Sequence, residues 1–231
     1  ALAMSILEKY KGIYVASHIS SIYNIEDDRI LFADCDAGSF KYLKDMEFTV
    51  LSEEKGEHMR AEILKAKENK DSVGGTVETI ITDIPAGYGE PFFDSVESRL
   101  SHMIFSIPAV KGIEFGAGFD ISKMRGSSSN DAYFLKDEKI SAKTNNNGGI
   151  LGGITNGMPI VFRTAIKPTA SISLPQETVN VASMKNTTLQ VEGRHDPCIV
   201  PRALPVIEGA AALVILDLIM ERDGEALNKK R

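Results

Sequence analysis

Residues 193–198, GRHDPC, set a guanidinium, an imidazole, a carboxylate and a thiol in one run, directly before the apolar stretch PRALPVIEG of residues 201–209. Arg194 carries a fixed fork of donors suited to a carboxylate or a phosphate, and Asp196 can hold a neighbouring donor or relay a proton. Pro197 suits the first turn of a helix, so Asp196 is expected near the N-cap, where unpaired N–H groups favour anions. A metal hydrolase built on His195, Asp196 and Cys198 is the competing chemistry. The spacing fits no standard zinc pattern and no second ligand pair lies at a suitable distance, so no metal is expected.

Two further segments have residue types suited to binding. KPTAS, Lys167 to Ser171, offers a cation, two hydroxyls and consecutive backbone N–H groups just past a strand end, which together neutralise and hold a phosphate monoester. Taken alone, it also reads as an ordinary proline-containing turn. NNNGGILGGITNG, residues 145–157, has neither the GxxxxGK[ST] spacing of a phosphate loop nor the GxGxxG of a dinucleotide fold. It reads either as a glycine-rich hairpin or as a backbone surface that lets a flat or anionic ligand approach without Cβ atoms in the way.

The elements that must position these segments alternate between helix and strand patterns. ALAMSILEKYKG reads as the back half of a helix and lacks a signal peptide's basic start. IYVASHISSIYNI is a β-branched strand, whereas residues 27–52 fit no single pattern. Residues 52–71 form an amphipathic helix, acidic in front and basic behind, interrupted early by Gly56. A strand follows, entered through Gly74-Gly75, and then a helix with Asp94 as N-cap and Glu97 three residues on. VKGIEFGAGFD is a strand, and the polar segment 121–147 is a long irregular loop of the kind that carries function. PIVFRTAI and TTLQVEG are the last strands before the apolar helix at 203–220. Glu208 and Asp217 within that helix argue for a buried core helix over a membrane span.

The whole reads as a single α+β domain over residues 1–231. Its net charge of −6 and pI near 5.3 leave no electrostatic footprint for nucleic acid or an anionic membrane, so an anionic ligand must be captured locally. With two cysteines, Cys35 and Cys198, reduced thiols in the cytoplasm are the default.

Together, IPAVKGIEFGAGF, the glycine-rich run, KPTASIS and GRHDPC followed by PRALPVIEG resemble the chorismate synthase family, in its order and approximate spacing. The resemblance extends from the first helix through Glu221. The family's N-terminal third, with its Ser-His-Gly motif, a second catalytic His, substrate-binding arginines and a Ser-Ala/Gly-Arg motif, has no counterpart here. Ser17 to Ile19 (SHI) and Ser98 to Leu100 (SRL) do not match those motifs in context, so the chain resembles a member truncated at its N-terminus.

The resemblance implies a β-α-β sandwich, helices between antiparallel sheets, assembled as a cytoplasmic homotetramer. It implies a carbon–oxygen lyase of the shikimate pathway, serving aromatic amino acid biosynthesis. The enzyme would form chorismate by 1,4-anti elimination of phosphate from 5-enolpyruvylshikimate 3-phosphate, with reduced FMN. By matching position, Ala109, Gly152, Lys167, Pro168, Thr169, Ala170, Ser171 and Arg194 would bind the flavin. Asp196 and Arg194 would be catalytic, and His195 structural, with Cys198 a small buried residue in the helix's first turn. Pro108 stands where the family has an Asn, so any side-chain bond from that site is lost. The isolated chain is expected to be inactive; the alternative is a non-catalytic flavin-binding or assembly module.

Overall fold

The computed structural model describes residues 1–30, 38–136, 138–193 and 195–228. Cys35 and Arg194, and with Arg194 both of its expected roles, lie outside the described residues. The chain opens with α1 (Leu2–Ile6), which continues as a π-helix over Leu7–Lys11 and stops at Gly12, whose φ of 69° is left-handed. Strands β1 (Tyr14–Ile22), β2 (Ile25–Glu26), β3 (Gly75–Thr82), β4 (Val110–Phe115) and β9 (Ile160–Ile166) pair antiparallel in the order β2-β1-β3-β9-β4.

Alternation along these strands divides the sheet into two faces. Val15, Val77, Ile81, Ile160, Phe162 and Ile166 pack with residues of α2 (Glu53–Glu68), α3 (Val96–Phe105) and α5 (Val200–Asn228) in the main core. Tyr14, Ala16 and Ile80 face the other way, onto Phe40 and Leu43. The expected mixture of helices and antiparallel sheet is therefore present, with the helices layered on one sheet face. Among the described residues, three two-stranded hairpins complete it: β5 (Tyr133–Lys136) with β6 (Lys139–Ala142), β7 (Ile150–Leu151) with β8 (Ile154–Thr155), and β10 (Gln176–Asn180) with β11 (Lys185–Leu189).

Several boundaries depart from the sequence expectation for physical reasons. Gly56 does not interrupt α2, which runs unbroken; a Cβ there would lie 2.8 Å from Val50 Cγ2, so the glycine admits close packing. Ser95, not Asp94, caps α3, accepting from the Ser98 N–H at 3.0 Å, because a 3₁₀ turn over Phe92–Asp94 already uses Asp94. Segment 121–147 is less irregular than expected, since it holds the short α4 (Gly126–Ser129) and the β5–β6 hairpin. The strand near TTLQVEG, β11, joins its own hairpin and not the main sheet. The apolar helix begins earlier, at Val200, and its first N–H bonds come from Arg202 and Ala203 to the Ile199 carbonyl. By length and composition this helix could cross a membrane, but half of that span is buried and it lies against β1 and α3 as a core helix.

Candidate functional site

Three of the segments singled out in the sequence meet at one end of the sheet. The chain leaves α3 through Pro108 and Ala109, where Ala109 takes a φ of 73° that a residue with a Cβ adopts at a cost of about 1 kcal/mol or more. That conformation turns its carbonyl to accept from the Lys167 N–H at 3.0 Å, so the start of β4 and the end of β9 hold each other. The loop before β3 completes the junction. Lys70 O accepts from Ser173 N–H at 3.2 Å, and Ser72 Oγ donates to Thr169 O at 2.6 Å. Val73 N–H donates to Pro197 O at 2.8 Å, which ties the Asp196–Pro197 segment to the same place. Gly74 allows this approach, because a Cβ there would stand 2.4 Å from Ile166 O and 3.0 Å from Pro168 Cδ.

The polar groups at this junction are unevenly satisfied. Lys167 is exposed and its ammonium pairs with no carboxylate among the described residues. Thr169 Oγ1 and His195 Nε2 are buried and have no hydrogen-bond partner among the described residues. Buried polar atoms ordinarily find partners, so the Thr169 hydroxyl, two residues from the Lys167 cation, suits a polar ligand. Asp196 is not the helix N-cap. With α5 starting four residues later, its carboxylate instead accepts from Arg202 Nη1 at 2.6 Å. Cys198, two residues before the helix, is partly buried, and burial pushes its thiol up to about 11. A thiol held protonated is a poor metal ligand or nucleophile, and no three of His, Cys, Asp or Glu cluster for a metal among the described residues.

Gly152 lies elsewhere. It occupies the β7–β8 turn with φ 60° and open space around its Cβ position. The adjoining Gly153 carbonyl accepts from Val96 N–H at the start of α3, whereas Ala109 follows the end of that helix. The length of α3 therefore separates Gly152 from Ala109 and Lys167 by roughly 15 Å. Asp131 organises the approach to this turn. It is buried and accepts from Thr144 Oγ1 and from the Asn146 and Asn147 N–H groups, and these bonds overcome burial to hold its carboxyl below the usual range.

A second polar cluster was not anticipated. His18, Glu78, Arg163 and Glu114 stand in register across β1, β3, β9 and β4, on the face away from the helices. His18 Nδ1 meets Asp27 Oδ2 at 3.1 Å and its Nε2 meets Glu78 Oε2 at 3.0 Å. Arg163 donates to Glu114 at 2.7 Å and to Glu78 at 3.3 Å. Burial pulls the imidazole down, but the two carboxylate bonds outweigh it and hold His18 above its ordinary value. Asp27 also accepts from Leu51 and Ser52 N–H, and Glu78 from Ile30 N–H, so the row fastens the connection between β2 and α2 to the sheet. The sequence signal was one titratable residue inside each of β1, β3 and β9, with Glu114 near the end of β4.

Comparison with known proteins matches the chain over residues 1–220 to a chorismate synthase family model. A chorismate synthase of Pyrococcus abyssi is 45% identical over 220 residues, 95% of this chain and 60% of that protein. One of Korarchaeum cryptofilum is 46% identical over the same shares. Among solved structures, a crystal structure of chorismate synthase superposes with a TM-score of 0.77 at 28% identity, over 96% of this chain and 60% of the other. The chain thus spans about 60% of the length of the relatives it matches.

Proposed function

The chain belongs to the chorismate synthase family, and on that premise we propose that the whole protein is a cytoplasmic lyase of aromatic biosynthesis. It converts 5-enolpyruvylshikimate 3-phosphate to chorismate and phosphate with reduced FMN. In this reading residues 1–231 act as one unit that supplies the flavin's phosphate site. The observation that carries it is the Lys167–Ala109 bond together with the unpartnered Thr169 Oγ1 two residues along the same turn. The bond joins segments distant in sequence, and among the described residues the turn carries an ammonium with no carboxylate partner and a hydroxyl with no hydrogen-bond partner, on a composition that suits a phosphate monoester.

Within this reading Lys167 neutralises the phosphate, and Thr169 to Ser171 surround it with hydroxyl and amide donors. Ala109 shapes the adjoining wall. Asp196 holds or relays a proton close by, with Arg202 fixing the carboxylate's position through their ion pair. When bound, reduced FMN supplies the transient electron density that an elimination from a weakly acidic C–H requires, without net redox change. Gly152, some distance from Lys167, would contact the flavin only in a homotetramer or through a different part of the ligand.

The test is anaerobic turnover by the whole protein, followed by phosphate release and chorismate absorbance. Turnover should require reduced flavin and should fall by about two orders of magnitude or more in Asp196→Ala. Full activity with oxidised flavin, or without flavin, would overturn the proposal. The 231-residue chain alone is expected to give no turnover.

A further inference from the structure

We propose that Ser72, on the loop before β3, is a positioning residue that sets the direction of the Ala170 amide in the phosphate turn. The inference rests on the reading of residues 167–171 as a flavin phosphate site. The turn belongs to no helix or strand. Its ends are tied by Lys167 N–H to Ala109 O at 3.0 Å and by Ser173 N–H to Lys70 O at 3.2 Å. Between these ties, two side chains from outside reach the turn's backbone among the described residues: Gln176 Nε2 donates to Ala170 O at 3.4 Å, and Ser72 Oγ makes the shorter donation, to Thr169 O at 2.6 Å, which alone holds the 169–170 peptide.

A peptide unit is planar and trans, so the carbonyl of residue 169 and the N–H of residue 170 point in opposite directions as one rigid body. Drawing the Thr169 carbonyl onto Ser72 therefore turns the Ala170 N–H away from the loop that carries Ser72. No acceptor for the Thr169, Ala170 or Ser171 N–H occurs among the described residues, and Thr169 Oγ1 is equally unpartnered. Successive unpaired amides of this kind make an anion-binding concavity. Gly74 keeps the loop close enough for the contact, since its missing Cβ leaves room against Ile166 O and Pro168. The same loop holds Pro197 through Val73, so Ser72 lies where the two candidate segments are joined.

The experiment compares FMN with riboflavin, which lacks the phosphate, by fluorescence titration of the chain and of Ser72→Ala, Ser72→Thr and Lys167→Ala. Ser72→Ala should weaken FMN about fivefold to tenfold and leave riboflavin unchanged, because one donor to a charged group is misdirected. Ser72→Thr keeps the hydroxyl and should bind FMN within about twofold of the parent. If Lys167→Ala loses FMN selectively while Ser72→Ala binds like the parent, the inference falls and the phosphate-site reading stands. Equal weakening of FMN and riboflavin in Ser72→Ala also overturns it, as the mark of general disturbance. If the parent binds no FMN, or Lys167→Ala changes nothing, the phosphate-site reading fails and this inference with it.

Discussion

The fold raises both the Glu208 carboxyl and the His18 imidazole above their ordinary values, for different reasons, and each gives stability a pH dependence. Burial pushes the Glu208 carboxyl up to about 7, opposed only in part by the Lys44 charge and bonding to Ser17. A carboxyl raised above its unfolded value of about 4.5 binds an extra proton on folding. Its contribution is full below that value and is lost as pH rises toward 7. Glu208→Gln should therefore gain about 2–3 kcal/mol on the parent at pH 8 relative to pH 5, read as urea midpoints. Parallel pH profiles for the two proteins would contradict this. His18 is raised by ion pairing, so its contribution is present below about 6.5 and disappears as pH climbs through its folded value. His18→Leu leaves two buried carboxylates short of a partner and should cost about 3 kcal/mol or more in urea unfolding at pH 6. A loss under 1 kcal/mol would mean the row is not paired as described.

At the level of elements, periodicity was a good guide where one face of a segment is buried and a poor one where neighbours decide. β1, β3 and β9 were legible as strands, although only β9 alternates between buried and half-buried positions, whereas β1 and β3 are buried on both faces. The charge row was not, because the sheet order β2-β1-β3-β9-β4 is non-sequential and single polar residues in strands do not announce their partners. Gly56 misled because a glycine costs a helix only about 1 kcal/mol, which close packing on Val50 offsets. The candidate turn was legible by composition, yet its attachment to Ser72, Lys70 and Pro197 is purely tertiary. The same attachment yields an element-scale expectation. Gly74→Ala drives a Cβ against Ile166 O and must displace the loop, so amide exchange at Ser173 should accelerate about tenfold or more. Unchanged exchange there would show that the loop does not hold the turn.

Across the whole molecule, the helix layer leaves Leu2, Val206, Leu213 and Met220 exposed, and Phe92 and Phe93 are exposed beside the start of α3. Val206, Leu213 and Met220 recur every seven residues along α5 and so share one face, and exposed apolar faces associate. Sedimentation of the chain should show concentration-dependent self-association that Leu213→Lys with Val206→Lys reduces. A monomer at every concentration would contradict that expectation.

If residues 167–171 hold the phosphate of FMN, as proposed, inorganic phosphate must compete for the same donors. FMN is titrated into the chain with and without inorganic phosphate, and then into Lys167→Ala. Binding should be saturable, weakened by inorganic phosphate and reduced about tenfold or more in Lys167→Ala. Binding that ignores both phosphate and Lys167 would contradict the phosphate site.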